Sequence, residues 1–195
     1  MQIYTILRIF AGKYEAKMQK KTIREMGRDS LEQFKSRQKM PVTVVLDNVR
    51  SLNNIGAIFR TCDGFAAEGM ALCGISATPP SPEIHKTALG AEDSVDWRYF
   101  ATTAEAVAAL KGEGCTIVCL EQVKGSVSLD RFRAEQGRRY ALVVGNEVDG
   151  VGQDVVDASD ICLEIPQSGT KHSLNVSASA AVALWEFYKQ LYTEQ

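Results

Sequence analysis

From Pro41 onward the chain alternates short apolar runs with stretches of helical periodicity, and no other feature restricts its fold as much. Val42-Thr-Val-Val-Leu-Asp47, Gly69-Met-Ala-Leu-Cys73, Cys115-Thr-Ile-Val-Cys-Leu120, Tyr140-Ala-Leu-Val-Val144 and Ile161-Cys-Leu-Glu-Ile165 read as strands bounded by Gly, Asp or Pro. Helical patterns over 54–65, 103–111 and 153–158 fall between them. A strand that is apolar at consecutive positions has no solvated face, so it belongs in a parallel sheet covered by helices on both sides. The expected class is therefore α/β, and 195 residues with 45% apolar content suffice for one substantial core.

The final helical pattern, from about Leu174 to Tyr192, is apolar over a wide arc. Ala181, Trp185, Tyr188 and Tyr192 follow one row, and Leu184, Phe187 and Leu191 follow the next. Either the two rows form one broad core face, or one faces the sheet and the other a partner subunit. Residues 78–86 carry three of the five prolines and are expected to form an extended loop.

Several classes are excluded by what the chain lacks. Its longest apolar runs fall well short of the roughly 20 residues of a membrane span, and its N-terminus has no apolar core followed by a small-residue cleavage site. The expectation is a soluble, cytoplasmic protein without membrane attachment. Cys62, Cys73, Cys115, Cys119 and Cys162 form no paired Cys-x-x-Cys array and have no neighbouring His, so they read as free buried thiols and no metal is expected. Residues 1–40 hold ten Lys or Arg against four acids, a local charge of +6, whereas 41–195 hold 12 against 20, a charge of -8. A basic helical extension on an acidic body suits an RNA-binding arm, and equally a solvated helical face.

Three polar clusters follow strand ends, where open parallel sheets place ligands. The first runs from Asp47 to Asp63 and opens a helix with Asn54 as its expected N-cap; the second, Val144-Gly-Asn-Glu-Val-Asp-Gly-Val151, is a glycine-bounded turn with Glu147 at its tip. The third, from Ile165 to Glu186, joins a strand end to a helix whose first turn, around Ser173 to Ser177, is expected to offer free N–H groups to a polar ligand. No Walker loop and no Gly-x-Gly-x-x-Gly follows the first strand, which disfavours nucleoside triphosphates and dinucleotides.

In that order, Asn54-Ile-Gly-Ala-Ile-Phe-Arg-Thr61, Val144-Gly-Asn-Glu-Val-Asp-Gly-Val151 and Ile165-Pro-Gln-Ser-Gly-Thr-Lys-His-Ser-Leu-Asn-Val-Ser177 resemble motifs 1, 2 and 3 of the SpoU/TrmH family. These are S-adenosylmethionine-dependent RNA ribose 2′-O-methyltransferases of the SPOUT class. The resemblance covers about residues 41–190 and leaves 1–40 outside. It implies a SPOUT-type parallel sheet flanked by helices, a deep C-terminal trefoil knot that forms the cofactor pocket, and a homodimer with the active site at the subunit interface. Knots are otherwise nearly absent from proteins, and periodicity does not reveal one. The implied substrate is tRNA or rRNA.

Carried over position by position, the motifs imply catalytic roles for Arg60, Asn54, Glu147, Ser173 and Asn175. Gly145, Ile165 and Leu174 match positions whose backbone holds the cofactor, with Leu120 and Glu121 as further candidates. The reaction moves a sulfonium methyl to a ribose hydroxyl, whose proton must leave. A guanidinium, with a pKa above about 12, is a poor base. Arg60 is therefore expected to stabilise the developing alkoxide and orient an RNA phosphate, with phosphate-assisted proton removal. Glu147 is open to three uses: binding a phosphate-contacting group, fixing Arg60, or holding its loop. His172 and His85 are read as loop residues that contact RNA or solvent. Three alternatives stand beside this reading. One is a SPOUT enzyme acting on a base nitrogen, which the Asn-x-Gly-Ala-x-x-Arg form of motif 1 opposes; another is a silent RNA-binding member, which the full residue set opposes; the third is a structural or interaction α/β protein, which leaves the arrangement of polar strand ends unexplained.

Overall fold

The computed structural model describes residues 19–22, 25, 27 and 29–192. The chain divides into two units, residues 1–33 and 34–195. The expected basic helix over 1–40 falls mostly outside the described residues. Its described end is α1 (Leu31–Ser36), which starts at a reciprocal cap: Ser30 N donates to Gln33 Oε1 at 2.8 Å, and Gln33 N donates to Ser30 Oγ at 3.2 Å.

Seven strands form one parallel sheet: β1 (Met40–Asp47), β2 (Ala67–Cys73), β3 (Trp97–Phe100), β4 (Cys115–Leu120), β5 (Val127–Ser128), β6 (Arg139–Val144) and β7 (Ile161–Glu164). Their spatial order is β3-β2-β1-β6-β4-β7-β5. Register aligns Leu46 with Val144, Val144 with Leu120, and Leu120 with Leu163. The residues just beyond this row, Asp47, Gly145, Glu121 and Glu164, are thereby gathered at one edge of the sheet. That edge carries the polar clusters.

Strand alternation divides the core between the faces. Val42, Val44 and Leu46 of β1 and Tyr140, Leu142 and Val144 of β6 pack with α2 (Leu52–Gly64), α3 (Pro82–Ala88), α4 (Ala91–Ser94) and α7 (Val176–Leu191). Val45, Ala141 and Val143 point the other way, into the layer of α5 (Thr103–Gly112) and α6 (Gln153–Ala158). In α2, the spacing of Ile55, Ile58, Phe59 and Cys62 places four buried side chains on one stripe. Truncating Phe59, which is fully buried, to Ala costs about 3–5 kcal/mol. In α7 the row of Leu184 and Phe187 is buried, while Trp185 stays 49% exposed, so the two apolar rows have different environments.

The structure corrects four expectations. Residues 78–86 are not wholly extended: Ser81 Oγ accepts from Ile84 N and Pro82 opens α3, because a proline at the first helical turn gives up no helical hydrogen bond. Asn54 does not cap α2; Ser51 does, its Oγ accepting from Asn54 N, and the helix begins at Leu52. The last helix begins at Val176 rather than near Leu174. Two of its first-turn N–H groups, on Ser177 and Ala178, already donate to Asn175 Oδ1 instead of waiting for a ligand. Both β3 and β5 were absent from the strand pattern, since β3 has half-exposed and exposed positions only and β5 has two residues.

The thiols behave as expected: Cys62, Cys73, Cys115 and Cys119 are buried, Cys162 partly so, and all five are free. Burial pushes Cys73 up to about 12 and raises the others as well, which leaves them protonated and inert. Among the described residues no helix is long and apolar enough to cross a membrane. No group of three or more His, Cys, Asp or Glu among them is placed to hold a metal ion.

Candidate functional site

The turn after β6 is built around Asn146. Its backbone exchanges hydrogen bonds with Gly150 at 2.9 and 3.0 Å, and its Oδ1 accepts from Val148 N at 2.8 Å. Its Nδ2 donates to Asn48 O at 2.8 Å, which ties the turn to the end of β1. The turn folds so closely over Gly145 that a Cβ there would strike the Gly150 backbone, and Gly150 itself has φ +70. Side chains at these two positions would open the turn.

This fold-back aims Glu147 at the start of α2. Its carboxylate accepts from Arg50 N and Ser51 N, both at 3.0 Å, and from Asn54 Nδ2 at 2.8 Å. Partial burial works to raise its pKa, but the three hydrogen bonds outweigh it and hold Glu147 below the usual carboxylate value. The positive end of α2 favours the same charge. Of the three uses open to Glu147, the structure displays the joining of loops. Arg60 is not its partner.

Asn54, released from capping, bridges onward: its Oδ1 accepts from Asn175 Nδ2 at 3.1 Å. Asn175 Oδ1 then accepts from Ser177 N at 3.0 Å and from Ser177 Oγ at 2.6 Å. Each amide orientation follows from the last. A carboxylate only accepts, so Asn54 must turn its NH2 toward Glu147, its oxygen toward Asn175, and so on to the helix N-terminus. One relay thus joins all three motifs.

Beside the relay lies a cleft of about 570 Å³. Its walls include Leu120, Glu121, Gly145, Ile165 and Leu174, the five positions expected to hold a cofactor. Glu147, Ser173 and Asn175 line it as well. Asn54 and Arg60 do not. Arg60 lies on the exposed side of α2, and its side chain has no hydrogen bond or ion pair among the described residues. Glu121 is partly committed to the scaffold, because Oε1 accepts from Gln122 N at 2.8 Å and Oε2 from Val151 N at 3.0 Å.

His172 also lines the cleft, and its carbonyl accepts from Gln122 Nε2 at 2.8 Å. His85 lies elsewhere, its Nδ1 2.6 Å from Glu92 Oε1. Sequence reasoning missed Gln122 and Asn146. Asn146 lies inside a motif and could have been singled out as a turn-forming Asn beside Gly145. Nothing local marks Gln122, whose partner is 50 positions away.

The cleft fits S-adenosylmethionine in size and charge. Its volume is within the roughly 300–1,000 Å³ of small-molecule sites. Four carboxylates, those of Glu121, Glu147, Asp149 and Glu164, lie on its walls and favour a sulfonium cation. The edges of Gly145 and Ile165 offer fixed backbone groups to an uncharged adenine.

The sequence model of the SpoU rRNA Methylase family matches residues 41–185. A tRNA/rRNA methyltransferase of Synechocystis, named as uncharacterized, is 30% identical over 85% of this chain and 42% of its own length. The 23S rRNA (guanosine-2′-O-)-methyltransferase RlmB of Nitrosomonas europaea is 33% identical over 75% of this chain and 55% of its own. An AdoMet-bound rRNA methyltransferase of Sinorhizobium meliloti superposes with a TM-score of 0.73 at 27% identity, covering 80% of this chain and 59% of that one. The chain thus spans about half the length of these relatives.

Proposed function

Because the chain belongs to the SpoU rRNA Methylase family, we propose that it is an S-adenosylmethionine-dependent RNA methyltransferase that modifies a ribose 2′-hydroxyl of tRNA or rRNA. One observation carries this reading: the relay Glu147–Asn54–Asn175 joins three motifs beside a cleft of cofactor size with acidic walls. When bound, S-adenosylmethionine supplies an electrophilic methyl group on a sulfonium centre. The backbone around Gly145, Ile165 and Leu174 holds the adenine and methionine parts, and Asn175 fixes the floor by capping α7. Ser173 and Asn54 hydrogen-bond at the reacting ribose or its immediate surroundings.

In this reading the C-terminal part of the chain forms the deep trefoil knot, and the active unit is a homodimer. Two features favour the dimer. Arg60 lies outside its own chain's cleft, and α7 exposes Val182 and Trp185, an apolar pair that a second copy would cover. Arg60 of one protomer then faces the cleft of the other. Its permanent positive charge stabilises the alkoxide as the proton leaves the 2′-oxygen and orients the RNA phosphate that accepts that proton. Residues 1–40 act as a basic RNA-binding extension to a catalytic domain over 41–195, in a cytoplasmic enzyme that requires no metal.

The decisive experiment transfers tritium from labelled cofactor to total RNA and then digests the product with alkali. A 2′-O-methyl group blocks cleavage at its own nucleotide, so label in an alkali-resistant dinucleotide is expected. Label in mononucleotides, as a methylated base would give, or binding of cofactor and RNA with no transfer, defeats the reading.

A further inference from the structure

A second cleft of about 450 Å³ opens at the carboxyl ends of β1, β2, β3 and β6. The Asn146–Gly150 turn is the wall between the two clefts, since Asn146, Asp149 and Gly150 line both. Topology places a crevice here. The chain leaves β1 for α2 on one face of the sheet and leaves β6, its neighbour, for α6 on the other.

The buried charge at its base is already used. Asp47, 4% exposed, accepts from Thr103 Oγ1 at 2.5 Å, Asn48 Nδ2 at 2.8 Å and Gly152 N at 2.8 Å. Three charged side chains on the walls are not used: Asp149, Asp154 and Arg50 make no side-chain hydrogen bond or ion pair among the described residues. Beside them Ile75 presents an apolar surface that is 64% exposed. The carboxylates are not a metal site, because no group of three or more acidic, His or Cys residues among the described residues is placed to hold an ion.

A ligand for these walls needs a flat apolar face for Ile75, paired N–H donors for a carboxylate, and an acceptor or anion for Arg50. A nucleotide supplies all three, and the bases differ in how well they do so. Guanine presents N1–H and N2–H side by side to one carboxylate. Adenine and cytosine offer one amino group beside a ring acceptor that repels a carboxylate, and the N3–H of uracil lies between two carbonyl oxygens.

We propose that the second cleft binds the guanine base of the RNA nucleotide whose ribose faces the first cleft, with Asp154 or Asp149 reading its donor edge and Arg50 taking its phosphate. The placement rests on the methyltransferase reading above. The intervening turn is a single antiparallel pair, about 5 Å across, which a nucleoside spans between its base and its own ribose. Bases recognised in RNA are those splayed from their stack, and such a pocket both reads the base and fixes the sugar.

The test uses the full chain with S-adenosylhomocysteine filling the first cleft. Backbone NMR follows titration with guanosine 5′-monophosphate, then with the adenosine, cytidine and uridine monophosphates. GMP is expected to shift the amides of Ile75 and Ala104 and to bind about tenfold more tightly than AMP. Asp154→Asn replaces an acceptor pair by one acceptor and one donor, and should weaken GMP about tenfold. Ala104→Trp, at an exposed position that lines the second cleft only, should abolish GMP binding and raise the KM for RNA. Both variants should bind S-adenosylhomocysteine as wild type does, which reports an intact fold. Equal binding of AMP, shifts confined to the first cleft, or unaltered GMP affinity in both variants overturns the site. If the wild type binds GMP at Ile75 and Ala104 but methylates no RNA, the base site stands and the enzymatic reading fails.

Discussion

Breaking the relay at Asn54 tests the central geometry of the site. Asn54→Ala removes the 2.8 Å bond to Glu147 and the 3.1 Å bond from Asn175. A hydrogen bond to a charged group contributes about 1.5–3 kcal/mol and a neutral one about 0.5–1.5 kcal/mol. All three side chains reach solvent, so water replaces part of what is lost and the lower values apply, roughly 2 kcal/mol together. Alanine recovers about 0.5 kcal/mol through its better helix propensity within α2, which leaves a net destabilisation of about 1.5 kcal/mol. Glu147→Gln keeps one acceptor but turns an NH2 toward the donors at Arg50, Ser51 or Asn54, for a loss of about 1–2 kcal/mol. Because the two substitutions share one bond, the double variant should lose less than their sum by about 1 kcal/mol. Urea denaturation followed by circular dichroism measures the cycle, with midpoints shifting at constant slope. Additivity to within about 0.3 kcal/mol would show that Asn54 and Glu147 are not coupled, and the relay would then have no energetic content.

The same carboxylate predicts a pH signature. Glu147 has a folded pKa below its ordinary value, so its stabilisation is present above about pH 4.3 and lost as pH falls through the lowered folded value. The stability gap between wild type and Glu147→Gln should stay level from about pH 8 to 6 and close in acid; a gap that widens on acidification contradicts the hydrogen-bond account. Arg60→Ala should leave cofactor affinity within about twofold in calorimetry, because its assigned targets are the ribose oxygen and the phosphate of the RNA rather than the cofactor, while methyl transfer falls by about 100-fold or more. Retained transfer removes Arg60 from the mechanism. Deleting residues 1–35 should weaken RNA binding and flatten its dependence on salt, since fewer phosphate counterions are released. An unchanged slope in filter binding would make that segment a solvated face. Trp185→Glu should give a monomer in sedimentation experiments with a native circular dichroism spectrum, and a dimer that survives it moves the interface elsewhere.

What was legible in the sequence was what depends on local pattern. Consecutive apolar positions in β1, β4 and β6 announced a covered parallel sheet, and 3.6-residue spacing announced α2, α5 and α7. Within the Pro-rich segment a helix-start signal, Ser81 before Pro82, was present but hidden by the general reading of prolines as loop residues. Edge strands such as β3 and β5 escaped because a strand with an exposed flank has little apolar pattern to show.

The site divides along the same line. Its residue types and their order along the chain, Asn54 and Arg60, then Glu147, then Ser173 and Asn175, could be read directly and carried the family resemblance. What each side chain does could not. Asn54 looked like a helix cap, yet Ser51 takes that position and frees the amide to reach Glu147, 93 residues away, and Asn175, 121 residues away. Those meetings exist because β6 lies between β1 and β4 and their registers align Leu46, Val144 and Leu120. Strand order is settled by how two helical layers close over the whole sheet, a balance summed over the entire core. No window of the sequence contains it, whereas each strand's own pairing potential is written in a handful of adjacent residues.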